Sequence, residues 1–127
     1  MVGVVIVSHS AKIAEGAREL ALQMAPEAPI AAAGGLPDGS IGTDFERIYQ
    51  AVESVLSPEG VVILFDVGSA LMTTEMVLDA FEGENIRLAD GPVVESTLVA
   101  AVGAAGGSSL EDILSEIQEA KQIPKLS

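Results

Sequence analysis

The chain has 127 residues, of which 49% are hydrophobic, enough to build a full core within a single domain over residues 1–127. It lacks cysteine, which excludes disulfides and thiolate metal sites, and its net charge of −13 argues against nucleic acid and anionic membrane surfaces as partners. No apolar run is long enough to span a bilayer and the N-terminus lacks the pattern of a signal peptide, so we expect a cytoplasmic protein.

The first third of the chain predicts a strand, a helix and a second strand. Residues 2–7 are an unbroken, mostly β-branched run, typical of a strand buried on both faces. The helical pattern that follows ends at Pro26, and residues 30–33 form a shorter and weaker strand. We expect one face of this helix to point inward, carrying Ile13, Ala17, Leu20, Ala21 and Met24.

A glycine-rich loop over residues 34–42 leads into the second predicted helix. Thr43 and Glu46 have the spacing of a capping box, which makes Thr43 the predicted N-cap. The helix is expected to bury Phe45, Ile48, Tyr49, Val52, Val55 and Leu56.

The second half of the chain continues the alternation of strands and helices. Residues 61–65 predict the third strand, which resembles the first in being fully apolar and buried. Residues 86–89 predict a short fourth strand, and a helix follows each of the two. Ser108 is the predicted cap of a final amphipathic helix. The expected inward residues of these three helices are Met72, Met76, Val77, Ala80 and Phe81, then Val94, Leu98, Ala101, Val102 and Ala105, then Ile113, Leu114 and Ile117.

This alternation predicts an α/β fold in three layers, with a mostly parallel four-stranded sheet flanked by helices. The two most apolar strands belong in the centre and the two weak ones at the edges, which gives the strand order 2-1-3-4. Binding sites of open α/β sheets form at the carboxyl ends of the strands where the chain reverses direction, here between the first and third strands.

His9 and Asp66 follow these two central strands, so the predicted fold brings them together. A neutral imidazole has a lone pair that can attack phosphorus and is available near neutral pH. It needs an acceptor on its other nitrogen to fix the tautomer and to support positive charge. We therefore expect His9 to be a phosphorylated nucleophile and Asp66 to orient it.

A phosphoryl group at this position needs hydrogen-bond donors. Helices are predicted to begin after His9 and after Gly68, and helix N-termini favour anions. We expect the phosphate-binding residues to be Ser10, Gly35, Thr43, Gly68 and Ser69. No lysine or arginine lies in these loops, which suits a group that must leave again.

Each of these residues also has a purely structural interpretation. A single histidine at a strand end is more often an ordinary polar residue, Asp66 has the chemistry of a helix cap, and the glycine-rich loop lacks the lysine of a P-loop. Met72 and Met76 are interpreted as core. Because His9 is the only histidine, a histidine-based metal cluster is excluded, and no cofactor is expected.

Several segments together resemble one known family. They are the opening VGVVIVSHSAKIAEGARELALQM, the segments IAAAGG, IGTD and LFDVGSALMTTE, and the stretch GPVVESTLVAAV. The chain resembles the phosphotransfer subunit of phosphoenolpyruvate-dependent dihydroxyacetone kinase, a relative of the mannose-type enzyme IIA domains of the bacterial phosphotransferase system. VSHS and DVGSAL are the most specific parts, and the resemblance runs from residue 1 to about residue 120.

The resemblance implies a phosphoryl group carried on Nε2 of His9, with Asp66 as its supporting acid. The implied donor is the histidine phosphocarrier protein HPr, charged by enzyme I and phosphoenolpyruvate. The implied recipient is ADP held by the nucleotide-binding subunit of the kinase, and a homodimer is expected. The chain length suggests a form with a single phosphocarrier domain.

Two other functions remain open from the sequence. One is a phosphocarrier domain that serves a mannose-type sugar permease, although DVGSAL favours the kinase-associated branch. The other is a non-catalytic regulatory or ligand-binding module, which would transfer no phosphoryl group.

Overall fold

A computed structural model describes residues 1–126 as a four-stranded parallel sheet between two layers of helices. The strand order β2-β1-β3-β4 confirms the predicted order 2-1-3-4. The strands are β1 (Gly3–Ser8), β2 (Ile30–Gly34), β3 (Val61–Phe65) and β4 (Ile86–Ala89). The helices are α1 (Ala11–Met24), α2 (Phe45–Val55), α3 (Ala70–Ala80), α4 (Val93–Ala105) and α5 (Leu110–Ala120).

Alternation of side chains along the central strands supplies two separate cores. Val4 and Ile6 of β1 face one side of the sheet, where α1, α4 and α5 cover them. Val5 and Val7 face the other side, under α2 and α3. Because successive strand residues point to opposite faces, an unbroken apolar run is what a sheet covered on both sides requires.

The inward face of α1 differs from the prediction. Ala14, Ala17 and Ala21 are buried, whereas Ile13, Leu20 and Met24 are about half exposed or more. Small residues allow the helix to lie close to the sheet, and the larger apolar side chains do not fit beneath it. The predicted stripe was therefore wrong for its large members, although Ala17 and Ala21 were placed correctly.

In α3 and α4 the predicted stripes were wrong in the same way for some members, although Val77 and Ala101 are buried as expected. In α3 the buried residues are Ala70, Thr74 and Val77, while Met72 is 75% exposed and Met76 57% exposed, so neither methionine is core. In α4 the buried face consists of small residues, and Val94 and Val102 are exposed. Both helices are apolar around most of their circumference, so hydrophobicity alone did not identify the face that packs.

Two predicted helix caps shift by one residue. Asp44, not Thr43, is the N-cap of α2, since its carboxylate accepts a hydrogen bond from the Arg47 backbone N–H. Ser109, not Ser108, caps α5 by accepting from the N–H of Asp112. In both cases adjacent residues have capping side chains, and the backbone path selects the second.

The helices in residues 1–126 include none that is both long enough and apolar enough to cross a bilayer.

Two glycines offer a matched test of the close packing of α1. A Cβ on Gly34 would lie 2.5 Å from the backbone oxygen of Ser10 and 2.8 Å from Cα of Ala11, whereas one on Gly16 would meet nothing within 4 Å. We expect Gly34→Ala to destabilise the fold by about 1–3 kcal/mol through overpacking. Gly16→Ala should stabilise it by about 0.5–1 kcal/mol, because alanine favours the helix. Urea unfolding of both variants checks this, and an unchanged midpoint for Gly34→Ala would contradict the packing described.

Candidate functional site

The carboxyl ends of β1 and β3 bring His9 and Asp66 into contact. The two strands are neighbours in register, with Val7 opposite Phe65, so the residues just beyond each strand end meet at one edge of the sheet. His9 Nδ1 lies 3.0 Å from Asp66 Oδ1. The structure thus places this predicted pair together at the point where the chain reverses direction.

The Asp66 carboxylate accepts four hydrogen bonds. Its Oδ1 accepts from the His9 ring and, at 2.7 Å, from the backbone N–H of Val67. Its Oδ2 accepts from the Ser8 hydroxyl at 2.8 Å and from the backbone N–H of His9 at 2.9 Å. Four donors occupy both oxygens, so the carboxylate is held in one orientation.

These hydrogen bonds also determine the charge of Asp66. Partial burial opposes ionisation of the carboxyl group, but the hydrogen bonds from the His9 backbone, Ser8, Val67 and the His9 ring outweigh it. Together they hold the pKa of Asp66 below its usual value, because each donor stabilises the charged form. Near neutral pH the group is therefore a carboxylate, which can only accept hydrogen bonds.

An accepting carboxylate at Nδ1 fixes the tautomer of His9. In the neutral ring this places the proton on Nδ1 and leaves the lone pair on Nε2. That nitrogen is 2.8 Å from the Ser69 hydroxyl, which donates to it. The His9 side chain is 23% exposed; the contact of Nε2 with Ser69 lies at the surface, whereas the contact of Nδ1 with Asp66 is partly buried.

Two helix N-termini flank the ring. Ser10 is the N-cap of α1 and accepts from Ile13, and the N–H groups of the first turn of α1 have no acceptor within the helix. Ser69 precedes α3 but makes no capping hydrogen bond, because its hydroxyl contacts His9 instead. Gly68 is exposed, with open space where a side chain would be. Both helix dipoles favour an anion beside Nε2.

The remaining two predicted phosphate-binding residues contact other parts of the protein. The backbone N–H of Gly35 donates to the carbonyl of Ser8, at 3.2 Å. The hydroxyl of Thr43 pairs with that of Thr73, at 3.1 Å, which joins the glycine-rich loop to α3. The loop also donates from Gly42 to the backbone oxygen of His9, at 2.9 Å. Its observed hydrogen bonds therefore support the backbone around the ring.

Ser8 belongs to the site and was missed by the sequence reasoning. It is fully buried at the end of β1, donates to Asp66 and accepts from the N–H of Ser10. A polar residue that ends an apolar strand beside a candidate nucleophile was the available signal. Among residues 1–126, no three histidine, aspartate or glutamate side chains are grouped so that they could hold a metal ion.

Comparisons with known proteins agree on one family. A family model described as "PTS system fructose IIA component" matches residues 3–114. The phosphoryl donor subunit DhaM of the PEP-dependent dihydroxyacetone kinase of Escherichia coli is 39% identical, with 94% of this chain and 27% of that protein aligned. The phosphotransferase subunit DhaM of the PTS-dependent dihydroxyacetone kinase of Lactococcus lactis is 32% identical over 92% of this chain and 94% of its own length.

Solved structures show the same architecture. EF1359, a protein of unknown function, superposes with a TM-score of 0.81 at 32% identity and covers 93% of each chain. The EIIA component of a phosphotransferase system from Streptococcus agalactiae superposes with a TM-score of 0.71, and its 13% identity supports the fold alone. It covers 96% of this chain and 93% of its own.

The first curated relatives extend well beyond the matched region, since the chain spans only about a quarter of their length. Others match over nearly their whole length, including a DhaM of Listeria innocua that is 34% identical with 97% of its length covered. With a family model over residues 3–114 and these near full-length relatives, the chain belongs to the family of PTS system fructose IIA components.

Proposed function

We propose that the chain is a phosphohistidine carrier that accepts a phosphoryl group on Nε2 of His9 and passes it to a kinase subunit. The observation that carries this proposal is the hydrogen-bonded row Asp66–His9–Ser69. It places an exposed nitrogen, whose electron pair accepts from the Ser69 hydroxyl, between two helix N-termini, which is the arrangement that a transferable phosphoryl group requires.

The transfer step is a displacement at phosphorus. The Nε2 electron pair forms the new N–P bond while the bond between phosphorus and the donor's imidazole nitrogen breaks, and the donor keeps that electron pair. No proton has to leave His9, because Nδ1–H stays in place. Bond formation makes the ring positive, and Asp66, 3.0 Å from Nδ1, stabilises that charge.

Ser69 takes two successive roles in this proposal. In the resting site its hydroxyl occupies the Nε2 lone pair at 2.8 Å. Once phosphorus is attached there, the hydroxyl turns to a phosphoryl oxygen, joined by N–H groups near Gly68 and at the start of α1. Ser10, the N-cap of α1, helps to hold the phosphoryl group at the start of that helix. Gly35 and Thr43 act indirectly, by holding the loop that supports the His9 backbone.

The names of the relatives support a dihydroxyacetone kinase as the destination. The curated DhaM relatives are phosphoryl donor or phosphotransferase subunits of such kinases. We propose the same place for this chain, with HPr as donor and with ADP, bound to the nucleotide-binding subunit of dihydroxyacetone kinase, as acceptor. The subunit itself performs the transfer chemistry and is in this sense a phosphotransferase.

The working form in this proposal is a cytoplasmic homodimer in which residues 1–127 act as one phosphocarrier domain. A net charge of −13 favours encounter with basic protein surfaces over nucleic acid or anionic lipid. Relatives that match over almost their full length support one domain as a sufficient unit.

A second candidate, a phosphocarrier for a sugar permease, is favoured by the fructose description of the matching family model. The two differ in their acceptor. Phosphorylated protein should be mixed with ADP-loaded kinase subunit and, separately, with a permease IIB domain. Rapid loss of label to ADP supports the kinase, and loss to the IIB domain alone overturns it.

Phosphorylation of His9 is the most direct test of this proposal. Incubation with enzyme I, HPr and phosphoenolpyruvate should add one phosphoryl group that is labile to acid and stable to base, as expected for a phosphoramidate. His9→Gln should abolish it, because no other histidine exists in the chain. Intact-mass measurement before and after acid treatment checks this. A phosphoryl group that persists in His9→Gln would place the chemistry elsewhere.

Replacing the supporting acid tests the role proposed for Asp66. Asp66→Asn should keep the fold yet slow phosphoryl transfer by about 10²–10⁴-fold, because a neutral amide neither fixes the tautomer nor stabilises the positive ring. Asp112→Asn, which makes the same charge change on α5, is the control and should transfer at the normal rate. Rapid-quench kinetics separate the two, and equal rates in both variants would remove Asp66 from the mechanism.

A further inference from the structure

Ser8 is a polar residue in a position where polar groups are costly. It is the last residue of β1, is completely buried, and follows the apolar residues of that strand. Burial of a hydroxyl group is unfavourable unless its hydrogen bonds are satisfied within the protein. The contacts of Ser8 therefore show what its hydroxyl does.

The hydroxyl of Ser8 has a single consistent orientation. The backbone N–H of Ser10 donates to its oxygen at 3.0 Å. Its own proton then points to Oδ2 of Asp66, 2.8 Å away, because a carboxylate with a lowered pKa offers only acceptors. The result is a directional row from the start of α1, through Ser8, to Asp66, in which each bond polarises the next.

This row restricts rotation of the Asp66 carboxylate. Oδ2 is held by Ser8 and by the His9 backbone N–H, so Oδ1 has to face the His9 ring and Val67. Without the Ser8 hydroxyl, Oδ2 would keep one partner and the carboxylate could turn. The Ser10 N–H would also lose its acceptor.

We infer that Ser8 is a positioning residue that fixes the His9 tautomer through Asp66, with the ring proton on Nδ1 and the lone pair on Nε2. This assignment rests on the hydrogen-bond geometry around an ionised Asp66. Its effect on phosphoryl transfer rests in addition on the function proposed above, since only a reaction at Nε2 depends on that lone pair.

The tautomer can be measured without any partner protein. In ¹⁵N-labelled protein with the His9 ring in its neutral form, Nδ1 should have the chemical shift of a protonated nitrogen and Nε2 that of an unprotonated one. Ser8→Ala should move the two shifts toward each other, because a carboxylate free to rotate allows the Nε2–H tautomer. Unchanged shifts in Ser8→Ala would overturn the inference.

Two control variants separate positioning from general loss of stability. Ser8→Thr keeps the hydroxyl and should restore the wild-type shifts, and a threonine variant as altered as the alanine one counts against the assignment. Thr97→Val removes another buried hydroxyl, one that donates to Val93 in α4, and should leave the His9 shifts unchanged. If Ser8→Ala does not fold, Ser8→Cys, a weaker donor of similar size, must shift in the same direction, and wild-type shifts there refute the inference.

Kinetics then connect the tautomer to transfer. We expect Ser8→Ala to lower kcat for phosphorylation by HPr about tenfold with KM unchanged, the loss typical of removing a partner that orients a functional histidine. If Ser8→Ala alters the His9 shifts but the wild-type protein takes up no phosphoryl group, the Ser8 assignment stands and the proposed function is refuted. If Ser8→Ala leaves the shifts unaltered while the wild-type protein is phosphorylated normally, the proposed function stands and the Ser8 assignment is refuted.

Discussion

The carboxylate of Asp66 joins the two central strands at the edge of the sheet where they end. It follows β3, yet three of its four hydrogen bonds come from Ser8 and His9 at the end of β1. The same contacts keep it ionised and define which nitrogen of His9 carries a proton. Local backbone structure, the orientation of the ring and its tautomer thus depend on one partly buried set of hydrogen bonds.

The fold and the convergence of His9 with Asp66 could be predicted because both depend on strand patterning. Unbroken apolar runs identify the central strands, and parallel pairing then brings the residues after those strands to a common edge. The faces of α1, α3 and α4 could not be predicted in this way. Their packing is decided by how closely small residues such as Ala14 and Ala101 approach their neighbours, which is a property of the assembled layers.

The details of the site depended on backbone geometry in the same way. Thr43 and Asp44 both have capping side chains, and only the path of the loop selects Asp44. Ser8 was missed because its position at the end of an apolar strand marks it only as a polar residue, and its role depends on a carboxylate far along the chain. Comparison with relatives identifies the family, whereas the role of each side chain follows from the hydrogen bonds described here.

The backbone of His9 is held by hydrogen bonds at both its N–H and its carbonyl group. Its N–H donates to Asp66 and its carbonyl accepts from Gly42, while Asp66 and Ser69 hold the two ring nitrogens. A carrier that meets two different proteins in turn would therefore present each of them with the same rigid template. The adjustment needed to bring phosphorus into line then falls on the visiting protein and on the Ser69 hydroxyl, and the entropy of ordering the reacting nitrogen has been spent during folding.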